Sequence, residues 1–230
     1  MKIFSILALS AVSASAASVS YSFWAYDQAA GSTAYYSHYQ VGSSTDDINP
    51  FVGDPSMARI DLNNFNSNVA TSIEGSAFQV SASRSVGWHK YEFNFDDATS
   101  TATILLNATP IHSAALVQTP GFFRFIFHDY FGGIQESVID DFEYRVDGNL
   151  VYTTSFEDSS LDSNWIISRQ DAGTYIASGD SSHAHTGSGG LALGDTNSNN
   201  TAVIITFVPE PSSSALTLIA STLLLGRRRR

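Results

Sequence analysis

The sequence predicts an all-β domain built as an antiparallel sandwich, and three observations carry that prediction. From residue 18 to residue 207, short segments alternate apolar and polar side chains, clusters of Gly, Asn, Asp and Ser separate them, and no long stretch repeats with a helical period. Hydrophobic residues form 43% of the 230-residue chain and aromatic residues 12%, enough to bury a core, which excludes a disordered polar tract. There is no Cys, so packing rather than disulfides must hold the fold, and thiolate chemistry is excluded.

The chain opens with a basic Met1-Lys2, an apolar run over residues 3–9 and a small-residue Ala14-Ser15-Ala16. That three-part pattern predicts a signal peptide over 1–16, cut after Ala16 by signal peptidase. The competing reading, a membrane anchor, needs an apolar run of ~20 residues.

The sandwich is expected over 17–207, the length of one domain. Its first strand has Val19, Tyr21 and Phe23 alternating with Ser20 and Ser22. Further strands are expected at 77–82, at Tyr91, Phe93 and Phe95, at 101–106, and at Phe123, Phe125 and Phe127. Segments 137–146 and 150–156 flank Asp147-Gly148-Asn149, a hairpin signal, and a last strand covers 202–207. Within 17–207 there are six Lys and Arg against twenty-one Asp and Glu, a balance of −15. Such a surface repels phosphate, so nucleic acid and anionic lipid are poor partners for the folded part, while calcium and neutral polysaccharide are compatible with it.

The chain closes with Val208-Pro209-Glu210-Pro211, three serines, an apolar stretch over 215–225, Gly226 and the basic cluster Arg227, Arg228, Arg229 and Arg230. Prolines stop the preceding strand, the apolar segment can form a short hydrophobic helix in the bilayer, and the arginines hold its end in the cytoplasm. Residues 208–230 resemble the PEP-CTERM sorting signal, with Pro209, Glu210 and Pro211 as the sorting motif. The competing reading is an ordinary tail anchor behind a proline-rich linker. The resemblance implies an exosortase-type partner, transient residence in the inner membrane, and delivery to the bacterial envelope, cell surface or matrix in a setting of exopolysaccharide production.

A second resemblance lies in the middle. Gly87-Trp88-His89-Lys90-Tyr91, Thr103-Ile104-Leu105-Leu106, the Phe123 to Phe127 segment and Ile139-Asp140-Asp141-Phe142 look like the later strands of concanavalin A-like and related carbohydrate-binding jelly rolls. Ser155-Phe156-Glu157-Asp158, Trp165 and the stretch His185-Thr186-Gly187-Ser188-Gly189-Gly190-Leu191 are similar to their opening strands. The order is inverted, which suggests a circularly permuted, lectin-like jelly roll joined through the Asp-Gly hairpin. Its rival is a truncated tandem, but a ~50-residue fragment struggles to bury its own core.

Candidate chemistry follows. Permutation brings Asp140, Asp141 and Glu157 together, where related jelly rolls hold a structural calcium ion, with Asp158, Asp180 and Asp195 as further donors; the alternative is that these acids simply begin turns. His183 and His185 with Asp180 nearby suggest zinc or nickel, against a plain loop with no third ligand evident. Trp24, Tyr26, Tyr35, Tyr36, His38 and Tyr39 are either a sugar-stacking surface or core, and the glycan-binding residues stay unassigned. Asp141-Phe142-Glu143 points two acids to one strand face shared with Arg145, which reads as a solvated surface. No Glu-x-Asp-x-x-Glu or Gly-x-Ser-x-Gly pattern occurs, so no catalytic residue is expected.

Overall fold

A computed structural model describes residues 18–28, 35–42, 57–63, 67–74, 78–116, 118–129, 135–196 and 201–209. The predicted signal peptide lies outside these residues, as do the apolar stretch, Glu210, Pro211 and the four terminal arginines. Among the described residues no helix is long and apolar enough to cross a membrane.

In chain order the strands are β1 (Ser18–Asp27), β2 (Tyr35–Gly42), β3 (Ala58–Asn63), β4 (Asn68–Ile73), β5 (Gln79–Ser83), β6 (Gly87–Asp96), β7 (Thr101–Leu106) and β8 (Thr109–Ala115). They continue as β9 (Phe122–Asp129), β10 (Gln135–Val146), β11 (Asn149–Thr154), β12 (Trp165–Gln170), β13 (Thr174–Ala177), β14 (Leu191–Asp195) and β15 (Thr201–Phe207). They form an all-β sandwich of two antiparallel sheets. One sheet runs β13-β14-β10-β1-β6-β7-β8 with β11 also on β10, and the other runs β12-β15-β9-β2-β3-β4-β5.

Period-two patterning places the core as the sequence suggests. Val19, Tyr21, Phe23 and Ala25 of β1, and Tyr91, Phe93 and Phe95 of β6, face inward. From the opposite sheet come Tyr39 and Val41, then Phe123, Phe125 and Phe127, then Val203, Ile205 and Phe207. Rings interlock across the layers: Phe123 lies 5.1 Å from both Phe23 and Phe142, and Phe142 lies 4.8 Å from Phe207. In β9 and β15 the outward positions are buried as well, so these central strands read as near-continuous apolar runs. The last third of the chain forms no separate fragment: β14 pairs with β10, β15 pairs with β9, and one core runs from Val19 to Phe207.

The expected hairpin joins β10 to β11. Asp147 and Gly148 both have positive φ, 50° and 74°, the requirement of a two-residue turn that matches strand twist. The Asp147 carboxylate also accepts the Ser18 N–H at 2.9 Å, tying the start of β1 to the turn.

Strand β10 forks. Its residues 135–139 pair with β14, its residues 142–146 pair with β11, and β1 runs along its other side. The bulge between them holds Asp140 and Asp141, the latter at φ +47°, a region that Asp tolerates better than most residues. The bulge also bears on the expectation for Asp141-Phe142-Glu143, where Phe142 is buried and both acids are partly exposed. An extra residue breaks the alternation there, so parity no longer fixes a common face for Asp141 and Glu143, while Glu143 pairs with Arg145 at 3.0 Å.

Candidate functional site on the outer face of the eight-stranded sheet

Because odd residues of β1 fill the core, Trp24 and Tyr26 are driven to the outer face. Their antiparallel partners on β6 are Lys90 and Trp88, so Trp24, Tyr26 and Trp88 share that face, all partly exposed. The Tyr26 and Trp88 rings meet edge to face, 5.4 Å apart.

The loop from residue 178 to residue 190 covers the fork in β10. Its base is closed by two reciprocal backbone bonds between Asp180 and Gly190, 3.0 and 3.1 Å. Three carboxylates hold its far side. Asp140, fully buried, accepts the N–H groups of His185 at 2.8 Å, Thr186 at 3.1 Å and its neighbour Asp141 at 2.7 Å. Asp141 accepts from the His185 ring and the Thr186 hydroxyl, both at 2.7 Å. Glu157 accepts the N–H and hydroxyl of Ser188, the latter at 2.8 Å, and the Gly189 N–H. Gly187, at φ +64°, adopts a conformation that favours glycine, and a Cβ there, 2.0 Å from the Glu157 carboxylate, would push that side chain off Ser188.

Held this way, the loop lays its histidines on the aromatic face. The His185 ring stacks on Trp24 at 3.8 Å and 16°, with Trp88 edge-on at 5.4 Å. His183 ends a short 3₁₀ turn, lies 5.7 Å from Tyr26, and donates from Nδ1 to Glu136 on β10 at 3.0 Å. The other Glu136 oxygen accepts the Tyr175 hydroxyl at 3.0 Å. Tyr175 reaches it by lying across Gly194, where any Cβ would come within 2.3 Å of the ring. Asp180 completes a group with Glu136 and His183 whose ligand atoms all lie within 4.8 Å of one another.

The electrostatics follow from this packing. Burial raises the Asp140 carboxyl above the ordinary range, partly offset by the N–H groups of Thr186, Asp141 and His185. Glu157 is held below its ordinary value by the Ser188 hydroxyl and N–H. Burial, and then the charges of Glu136, Asp180 and Asp195, make the Tyr175 phenol harder to ionise.

The three carboxylates expected to hold calcium thus meet one loop, and what meets them is N–H and O–H hydrogen. Asp158 takes part through its carbonyl, which accepts the Ser178 hydroxyl, and Asp195 is buried and bound by the Thr201 hydroxyl. The His183–His185 pair separates, one ring going to Glu136 and the other to Asp141 and Trp24. Of the N-terminal aromatics, Trp24 and Tyr26 face outward, Tyr39 is core, and His38 is buried against Asp61. The side chains of Tyr35 and Tyr36 lie outside the described residues. Sequence reasoning missed Trp88, Glu136 and Tyr175; only for Trp88 was a signal present, its alternation with the inward Tyr91. Compared with protein-family models and with curated proteins, the chain matches none.

Proposed function

We propose that this chain is an exported bacterial envelope or matrix protein whose sandwich binds polysaccharide without catalysis, on the outer face of the eight-stranded sheet. The observation that carries the reading is the grouping of Trp24, Tyr26 and Trp88 under a loop held by many hydrogen bonds. Flat aromatic faces take the C–H side of a sugar ring, while nearby carboxylates and amides take its hydroxyls. The same face continues along β1, β6 and β7 into an open depression of about 520 Å³ lined by Ser18, Ser20, Asn94, Thr101 and Thr103, a surface suited to hydroxyl-rich chains. Trp24 lies six positions along β1 from Ser18, roughly 20 Å of strand, so the face can follow an extended glycan. Export by signal peptidase, and exosortase handling of the Pro209-Glu210-Pro211 tail, complete this reading.

The test is a glycan array followed by titration of the best binder into the protein and its Trp24→Ala and Trp88→Ala variants. Each truncation should weaken binding about tenfold, the worth of one aromatic contact, measured at a temperature where melting shows the variant still folded, since both rings also pack against His185. Failure of every glycan to bind, or unchanged affinity in both variants, overturns the reading. Calcium at Asp140, Asp141 and Glu157 would have to displace their N–H and O–H partners. A calcium-dependent rise in melting temperature that Glu157→Gln abolishes would establish it.

A second reading, a structural surface protein that assembles with its own copies, is favoured by one feature. Phe78 just before β5, Val80 on it, and Ile166 and Ile167 on β12 are more than half exposed at the two edges of the seven-stranded sheet. Concentration-dependent self-association in sedimentation, with no glycan bound, would select it.

A further inference from the structure

We infer that Glu136, Asp180 and His183 form a binding site for a borderline first-row divalent cation, with zinc as the type ion. The inference does not rest on the glycan reading. Three elements supply the donors: the start of β10 gives Glu136, the closed base of the loop gives Asp180, and the 3₁₀ turn gives His183. One imidazole and two carboxylates are a known kind of zinc donor set, and three protein ligands leave a fourth position for water or a ligand oxygen.

The spacing suits the ion. Zinc bonds of about 2.0–2.2 Å place tetrahedral donors roughly 3.3–3.6 Å apart. His183 and Glu136 are already 3.0 Å apart, and the whole set lies within 4.8 Å, so small side-chain adjustments suffice. On binding, the His183 ring carries its single proton on Nε2 and turns the Nδ1 lone pair to the metal, replacing its contact with Glu136.

One further observation points to a cation. The Tyr175 hydroxyl donates to the second Glu136 oxygen, the kind of outer partner that orients a ligating carboxylate. The imidazole selects against calcium, which takes six to eight oxygens. His185 is excluded because Asp141 and Trp24 engage its ring.

The experiment is titration of zinc, and separately of calcium, into the chelator-stripped, tag-free full chain by calorimetry, with no sugar present. One zinc per chain is expected. Glu136→Gln and His183→Gln should each weaken it at least tenfold, while His185→Gln and Trp24→Ala leave it unchanged. Absence of saturable zinc binding, equal affinity for calcium, or equal loss in His185→Gln overturns the site. Should Glu136→Gln or His183→Gln fail to fold, side-chain nitrogen NMR of the wild-type chain decides. Zinc must then shift the His183 ring resonances and leave those of His185 in place; the reverse pattern refutes the site. Trp24→Ala separates the two proposals, because it should weaken glycan binding about tenfold and spare zinc.

Discussion

Replacement of Asp140 by Ala removes the acceptor of three N–H groups at once, those of Asp141, His185 and Thr186 at 2.7, 2.8 and 3.1 Å. A buried donor left without a partner costs about 1–3 kcal/mol. Opening of the loop would let water reach His185 and Thr186, which places each term near the low end, and the sum near 3 kcal/mol. For a domain of this size that corresponds to a fall in melting temperature of about 6–12 °C. Asp140→Asn keeps one acceptor oxygen but turns an NH₂ toward donor hydrogens, so its loss should be smaller but still measurable. Urea unfolding gives the energy, and hydrogen exchange at the His185 and Thr186 amides gives the location. A loss below about 0.5 kcal/mol, the scale of an ordinary surface change, or unchanged protection at those two amides, would refute the claim that Asp140 anchors the loop.

Three other outcomes follow from the geometry. Gly194→Val should drive Tyr175 off β14 and break its bond to Glu136, costing about 1–3 kcal/mol of overpacking, read by thermal melting together with tyrosine fluorescence. Arg84 and Asp27 form a fully buried pair at 2.6 Å, so Arg84→Ala should cost about 3–5 kcal/mol, and Arg84→Met with Asp27→Leu less; equal losses in the two would count against a paired buried charge. Burial opposes ionisation of Asp61, yet His38 and Arg59 outweigh it and hold its carboxyl below the ordinary range. Its contribution is therefore full above the unfolded value of about 3.9 and is lost as pH falls through the lower folded value. Asp140 has the opposite sign, since its raised folded value makes acidification favour the native state between that value and about 3.9. Unfolding curves at pH 3–6 for the wild type, Asp61→Asn and Asp140→Asn would check both signs.

Local periodicity made much of the fold legible. Strands β1, β5, β6, β7, β9, β10, β11 and β15 were readable because alternation is a property of a few adjacent residues. The remaining strands were harder. Strand β3 does alternate, Ala58, Ile60 and Leu62 against Arg59, Asp61 and Asn63, but is only six residues long; β2 and β4 put the polar Ser37 and Thr71 at inward positions, and β14 is buried on both faces, so parity carries no signal there. The candidate site divides in the same way. His183, His185, Asp140, Asp141 and Glu157 were singled out as residues, but their partners were not. Glu136 stands forty-seven positions before His183, and nothing local links them.

By itself the sequence determined the sandwich class, the Asp-Gly hairpin and the acidic surface. Each of these follows from residue type and short-range steric rules. Only the tertiary structure decided that β10 forks at Asp140, that the loop closes over the fork, and that His183 turns to Glu136 while His185 turns to Trp24. Those outcomes depend on which distant strands become neighbours. That pairing is selected by burial and hydrogen-bond satisfaction over the whole chain, which no short window of residues contains.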